Sequence, residues 1–134
     1  MANVWYAKGI REIGDGGVDL LTDNLKVVLY DSGYTPVVDT DEFLSDIPSG
    51  ARIVTSPNLA SKTVTDGGIL DCADPVFTSV PSAEIIVGAA LFKDTGSAAT
   101  SPLLAKIDNA GGLPLTTDGT NITMSVDGAG LAKL

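Results

Sequence analysis

The chain has 134 residues, a length at which one domain can bury its own core without a metal or a disulfide. Its net charge is −9 and its eight basic residues are scattered, so it lacks the clustered Lys and Arg that a nucleic-acid-binding surface needs. It contains no histidine and one cysteine, which excludes a Ser-His-Asp triad, a histidine-bound metal, a zinc site of several cysteines and an intrachain disulfide.

The N-terminal segment is predicted to form a short helix. Tyr6, Ile10 and Ile13 recur with the spacing of one helical face, Asn3 can cap the start, and Gly14 can end the helix. We therefore divide the predicted single domain, residues 1–134, into an N-terminal helix or arm at 1–17 and a β domain at 18–134.

Two aromatic residues at this end are candidate partner-binding residues. Trp5 and Tyr6 could anchor a partner, because exposed aromatic side chains often carry interface energy. The alternative is that both pack the helix onto the sheet.

The first predicted strand runs from Asn24 to Tyr30 and is expected to lie inside a sheet. A strand with apolar residues on both faces is typically covered on both sides. Here the two faces carry Leu25, Val27 and Leu29 on one side and Val28 and Tyr30 on the other.

An acidic segment follows, and two interpretations of it remain open. The spacing of Asp39 and Glu42 is that of a capping box, which favours one helical turn docked by Phe43 and Leu44. The alternative is a calcium site, although the ligand pattern of a calcium loop is missing. The carboxylates of the segment are Asp39, Asp41, Glu42 and Asp46.

The rest of the chain is predicted to consist of short antiparallel strands. Turn signals such as Asp66-Gly67, 109–112 and Asp118-Gly119 separate the extended runs. These runs lie at 51–55, 59–65, 68–72, 83–93, 102–108, 122–127 and 131–134. We expect 83–93 and 102–108 to pair as a hairpin, with Leu103, Ala105 and Ile107 on one face. The predicted fold class is all-β: a β-sandwich or partly closed barrel of short antiparallel strands with a short N-terminal helix.

The remaining reactive residues form no catalytic pattern. Cys72 has no histidine to activate it and is interpreted as a small buried hydrophobe. Asp66, Asp71 and Asp74 could supply the two carboxylates of a glycosidase, but Asp in turn-rich sequence usually bonds to the backbone. The sequon at Asn121 is interpreted as a chance match. We expect no enzymatic activity and no cofactor.

Neither a signal peptide nor a membrane span is predicted. The first five residues lack a basic start and an apolar stretch. The longest apolar run, 85–92, is far shorter than the ~20 residues that cross a bilayer. We expect a soluble chain without membrane partners.

Several blocks of the sequence are similar to a known family. They are DLLTDNLKVVLYDSGYTP, DEFLSDIPSGARI, LASKTVTDGGILDCADPVFTSV, ALFKDTGSAATSPLLAKID and GGLPLTTDGTNITMSVDGAGLAKL. In this order they resemble a family of small structural proteins of tailed bacteriophages and prophages. The resemblance covers Val18 to Leu134, and its most specific part is the phrase from Phe92 to Ser97. The N-terminal stretch from Val4 to Lys8 matches the family less closely.

The resemblance implies a virion component without a catalytic site. We expect a head decoration, or cement, protein on the outer surface of the head, where it binds the major capsid protein. Tail or head–tail connector components, and a receptor- or glycan-binding module of a tail fibre, remain alternatives. The acidic charge disfavours contact with packaged DNA. The apolar content predicts a homo-oligomer, with a trimer preferred, made in the host cytoplasm.

Overall fold

The computed structural model describes residues 4–107, 113–126 and 130–133, and strands dominate it. Within these residues one α-helix, α1 (Ala7–Gly14), and two short 3-10 helices, Leu44–Asp46 and Ser49–Ala51, accompany the strands. The prediction of an all-β chain with a short N-terminal helix is thereby confirmed. The strands are β1 Val4–Trp5, β2 Leu25–Tyr30, β3 Arg52–Thr55, β4 Thr63–Thr65, β5 Ile69–Asp71, β6 Val76–Phe77, β7 Ser82–Ile86, β8 Gly88–Lys93, β9 Leu103–Ile107, β10 Leu115–Asp118, β11 Ile122–Thr123 and β12 Ala132–Lys133.

A five-stranded antiparallel sheet, in the order β1-β9-β8-β2-β3, organises the molecule. Strand β2 is internal and buried on both faces, as the sequence predicted. On one face of β2, Leu25, Val27 and Leu29 pack in a cluster that we call the large core. On the other face, Val28 and Tyr30 pack in a second cluster, which we call the small core. The large core contains Val18, Leu20, Leu25, Val27, Leu29, Leu59, Leu70, Cys72, Phe77, Val80, Ile86, Ala89, Leu91, Leu104, Ala105, Ile107, Met124 and Leu131. The small core contains Tyr6, Val28, Tyr30, Tyr34, Leu44, Ile47, Ala51, Ala90, Phe92 and Leu103.

Three smaller antiparallel sheets complete the β structure. They pair β10 with β7, β11 with β6, and β12 with β5 and β4. Each small sheet contributes a buried side chain to the large core: Leu70 of β5, Phe77 of β6 and Ile86 of β7. The strands within the described ranges do not close into a barrel.

The prediction of a single strand at 83–93 is wrong, because Val87 interrupts the strand and divides it into β7 and β8. The part before the break, β7, pairs with β10, whereas the part after it, β8, lies between β2 and β9. The amide of Val87 donates to the carbonyl of Tyr30, 2.9 Å away. The expected hairpin therefore consists of β8 and β9 only.

The expected single face of Leu103, Ala105 and Ile107 is only partly correct. In the pairing of β8 with β9, Leu91 lies opposite Ala105, but the next residue, Phe92, lies opposite Leu103. Leu104 is therefore an extra residue in β9, which forms a bulge there. Ala105 and Ile107 face the large core, but Leu103 faces the small core. The bulge is the physical reason, since it reverses the alternation of side chains at one point.

The predicted strand at 122–127 is much shorter than expected. Of its described residues, 122–126, only Ile122 and Thr123 pair with β6, and Asp127 lies outside the described part of the chain. The next amide, that of Met124, donates to the carbonyl of Pro75 at 3.0 Å. Proline has no N–H to return a bond, so the ladder ends there. Met124 is nevertheless buried and Ser125 exposed, as the alternation predicted.

Helix α1 ends at Gly14 as predicted, but its face is different from the one expected. Tyr6 is buried and Ile13 half-buried, whereas Ile10 is 49% exposed. Gly9 is the residue of the helix that is buried against β9. The predicted cap Asn3, the turn at 109–112 and the final residue Leu134 lie outside the described residues.

In the described part of the chain, no helix is long and apolar enough to cross a membrane.

Candidate interaction surface

The two predicted partner-binding residues have different positions. Trp5 lies in β1, at the edge of the five-stranded sheet, and packs half-buried against the large core. Tyr6 has no exposed surface and belongs to the small core. The prediction of Tyr6 as a surface anchor is therefore wrong, because packing the helix onto the sheet buries its ring. The segment at 1–17 is also less separate than predicted, since β1 is part of the sheet.

A line of hydrogen bonds holds this segment in place. The hydroxyls of Tyr6 and Tyr34 lie 2.8 Å apart, and Tyr34 donates to the Asp41 carboxylate at 2.7 Å. Because Asp41 only accepts, Tyr6 is the donor to Tyr34. Burial is the main factor that raises the pKa of Tyr34 well above its ordinary value, and the hydrogen bonds with Tyr6 and Asp41 raise it further. Tyr34 therefore stays protonated and acts as a structural link rather than as an acid or base.

Three of the four carboxylates of the acidic segment have separate structural partners, and Asp39 is the exception among the described residues. Asp41 also accepts the amide of Val37 at 2.9 Å, and Glu42 pairs with Lys8 at 3.3 Å and with Arg11 at 3.1 Å. Among the described residues, no group of three or more potential ligands could hold a metal ion. The calcium alternative therefore has no preformed cluster to support it.

The helical turn predicted in this segment exists, but its cap is a different residue. Asp46 accepts the amides of Glu42 and Phe43 at 2.7 and 3.0 Å. The predicted capping box of Asp39 and Glu42 is wrong, because the helical turn begins at Leu44, directly after Phe43, and the Glu42 carboxylate pairs with Lys8 and Arg11 instead. Leu44 is buried and Phe43 half-buried, so the docking residues are those expected.

Cys72 and the three neighbouring aspartates do not converge on one site. Burial is the largest factor that raises the pKa of the Cys72 thiol to about 11, which keeps it protonated and unreactive. Asp66 lies in the turn of the β4–β5 hairpin, whereas Asp71 pairs with Thr63 at its other end. The carboxylates of Asp71 and Asp74 accept the amides of Cys72 and Val126 at 2.8 and 2.9 Å.

An open apolar groove is a candidate binding surface among the described residues. Its volume is about 390 Å³, and its exposed apolar residues are Leu21 at 51% and Val64 at 38%. We call it the Leu21 groove. Buried Val18 and Leu20 also line it and connect it to the large core. Its complete lining is Ile13, Gly16, Val18, Asp19, Leu20, Leu21 and Val64.

Hydrogen bonds hold the loop that presents Leu21. Asp19 accepts the amides of Leu21 and Thr22 at 2.9 and 3.2 Å, and these bonds are the main cause of its lowered pKa. Asp23 accepts the amide of Asp19 at 2.8 Å, which is likewise the first cause of its lowered pKa. The exposed position of Leu21 is thus fixed by its neighbours.

Two lysines tie this loop to the body of the protein. Lys93 donates to the carbonyl of Gly17 at 2.8 Å and pairs with Asp23 at 3.2 Å. Lys62 donates to the carbonyl of Asp23. The groove is therefore present before any partner arrives.

Sequence reasoning missed the Leu21 groove. The available signal was Leu20-Leu21 between Asp19 and Thr22, since a pair of leucines in a polar turn cannot easily bury both side chains. Val64 gave no such signal, because a valine in a strand is usually covered by the fold.

No protein-family model matches the chain, and no curated protein matches it.

Proposed function

We propose that this chain is a structural protein of a bacteriophage particle, and specifically a decoration protein on the outer surface of the head. It binds the major capsid protein, acts by covering surface, and catalyses no reaction. The observation that carries this proposal is the resemblance of Val18–Leu134 to phage structural proteins. The whole order of blocks is involved, not one short motif.

The hydrogen bonds that the acidic side chains accept support a structural role for the protein. Many carboxylates accept hydrogen bonds from backbone amides a few residues away, as turn-forming aspartates do. Carboxylates bound in this way shape loops and are poorly placed to exchange protons with a substrate. The residues concerned are Asp19, Asp31, Asp46, Asp71, Asp94 and Asp118.

Charge supports an outer position on the head. A net charge of −9 repels packaged DNA, whereas a site on the shell exterior avoids that repulsion. The Leu21 groove supplies apolar area for contact, which contributes roughly 25 cal/mol per Å² buried before association costs. Repetition over a lattice then multiplies a modest affinity.

The aromatic residues argue against a glycan-binding module. All seven lie in the described part of the chain, and none is exposed. Trp5 and Phe43 are half-buried, and the other five are buried. The described surface therefore offers a sugar no fully exposed aromatic ring on which to stack.

We infer that the fold is a β-sandwich in its finer architecture. The small sheets form the second layer, since Leu70, Phe77 and Ile86 share the large core with Leu91 of the five-stranded sheet. A core shared between two layers of sheet is what a sandwich requires, and this shared cluster supports the inference.

The copy number per particle tests the placement. Purified heads and purified tails are compared by quantitative mass spectrometry, with the major capsid protein as the internal standard. We expect the chain in heads, at a number comparable with that of the major capsid protein. A number sufficient for only one ring, recovered with tails or connectors, would support the tail or connector alternative and contradict decoration.

A further inference from the structure

Among the strands in the described residues, β4 is an open sheet edge, and it lies beside the Leu21 groove. It pairs with β5 on one side and ends its three-stranded sheet, and Thr63, Val64 and Thr65 are all exposed. In an antiparallel edge strand, alternate residues direct their N–H and C=O groups away from the partner strand. Val64 also lines the groove, so the open backbone and the apolar groove form one continuous surface.

We propose that an extended segment of another protein adds to β4 as a further strand. An apolar side chain of that segment inserts between Val64 and Leu21, and basic side chains beside it face the acidic rim of the groove. This inference rests on the proposed function in one respect, namely that the other protein is the major capsid protein.

Pairing an extended segment with a sheet edge is an established mode of recognition. Backbone hydrogen bonds supply affinity, and pockets for alternate side chains supply specificity. Both parts are present here, in β4 and in the Leu21 groove. The loop that carries Leu21 is already held by Lys62 and Lys93, so binding has little ordering to impose on it.

The charges around the surface determine the chemistry of the segment. Asp19 lines the groove, Asp15 precedes Gly16 of its wall, and Asp66 follows β4 directly. No described residue forms a hydrogen bond or ion pair with the carboxylate of Asp15 or Asp66. Lys62 and Lys93, two cations near this surface among the described side chains, are bound to the loop. The rim therefore attracts Lys or Arg, and it repels a second copy of the same acidic chain.

The test is a titration of the full-length ¹⁵N-labelled protein, monitored by NMR, with capped peptides. The probe peptide repeats valine and lysine. One control peptide repeats valine and glutamate, and another has the probe sequence interrupted by prolines. We expect the probe to shift the amide signals of Thr63, Val64 and Thr65, and both controls to fail, because one reverses the charge and the other removes backbone donors.

A pair of matched variants tests the groove. Leu21→Ser should weaken binding about tenfold, since it removes apolar area from the contact. Ile85→Ser is the control, because Ile85 is 54% exposed, close to the 51% of Leu21, and lies on β7 without lining the groove. It should leave the affinity unchanged. Both side chains are exposed, so both variants should keep the remaining spectrum and thus the fold.

Several results would overturn this proposal. They are shifts confined to the other sheet edges, binding that is equal for Leu21→Ser and Ile85→Ser, or no shifts at β4 up to the solubility limit of the peptide. Concentration-dependent shifts at β4 without peptide would identify the surface as a contact between copies instead. The titration uses the isolated protein, so its outcome is independent of the copy number that tests decoration of the head.

Discussion

At the scale of single residues, Gly9 illustrates how the N-terminal helix reaches the sheet. A Cβ atom at this position would collide with the carbonyl oxygen of Leu103 and lie 2.9 Å from the Cα of Leu104. These are backbone atoms of β9 and cannot move without disturbing the sheet. Gly14 lies in the same helix, yet a Cβ atom there would have nothing within 4 Å.

We expect Gly9→Ala to destabilise the protein by about 1–3 kcal/mol, the usual cost of forcing extra volume into a packed contact. This loss outweighs the helix propensity of alanine, which favours it over glycine by about 1 kcal/mol. The measurement is urea unfolding followed by circular dichroism. Gly14→Ala is the control and should be neutral or slightly stabilising. Equal stability of the two variants would show that α1 does not pack against β9 in this way.

At the scale of elements, the loop from Gly16 to Asp23 depends on ionised carboxylates. The pKa of Asp23 lies below its ordinary value of 3.8, chiefly because its carboxylate accepts the amide of Asp19, with Lys93 adding to the effect. A group whose pKa is lowered by folding stabilises the folded state above its ordinary pKa. That contribution disappears as the pH falls through the lower, folded value.

Asp23→Asn should therefore reduce the free energy of unfolding by about 1 kcal/mol at neutral pH. The difference from the parent protein should shrink as the pH falls below 3.8, because the carboxylate of the parent then becomes protonated. Thermal unfolding of both proteins, from neutral pH to below pH 3.8, measures this difference in stability. Asp39→Asn is the control, since Asp39 is exposed and accepts no hydrogen bond from a described residue. A constant difference at all pH values would contradict the assigned role.

At the scale of the whole molecule, the charge opposes self-association. With a net charge of −9, copies repel one another, and salt weakens this repulsion over a Debye length that falls from about 30 Å at 0.01 M to about 10 Å at 0.1 M. The proposed trimer should therefore become more populated as salt is added. Sedimentation velocity at these two salt concentrations measures the trimer fraction. A trimer that dissociates with salt would instead require attractive ion pairs between copies.

The sequence by itself determined the features that depend on neighbouring residues. Alternation along β2 specified an internal strand with two apolar faces, because successive side chains of a strand point to opposite sides. Asp66-Gly67 specified the turn of the β4–β5 hairpin, where Gly67 has a φ of 87°, a conformation that glycine adopts without strain. Gly14 is the last residue of α1, as predicted, whereas the left-handed backbone after the helix lies at Gly16, which has a φ of 81°.

Only the tertiary structure decided the features that depend on residues distant in sequence. Tyr6 is buried because its ring packs in the small core, where its hydroxyl donates to that of Tyr34, and the interruption at Val87 divides one apolar run between two sheets. The Leu21 groove joins a loop near residue 20 to a strand near residue 64. Periodicity and turn propensity act over a few residues, whereas burial and the shape of a surface depend on which distant segments pack together. A pattern in the sequence therefore indicates elements, and their contacts establish the surface.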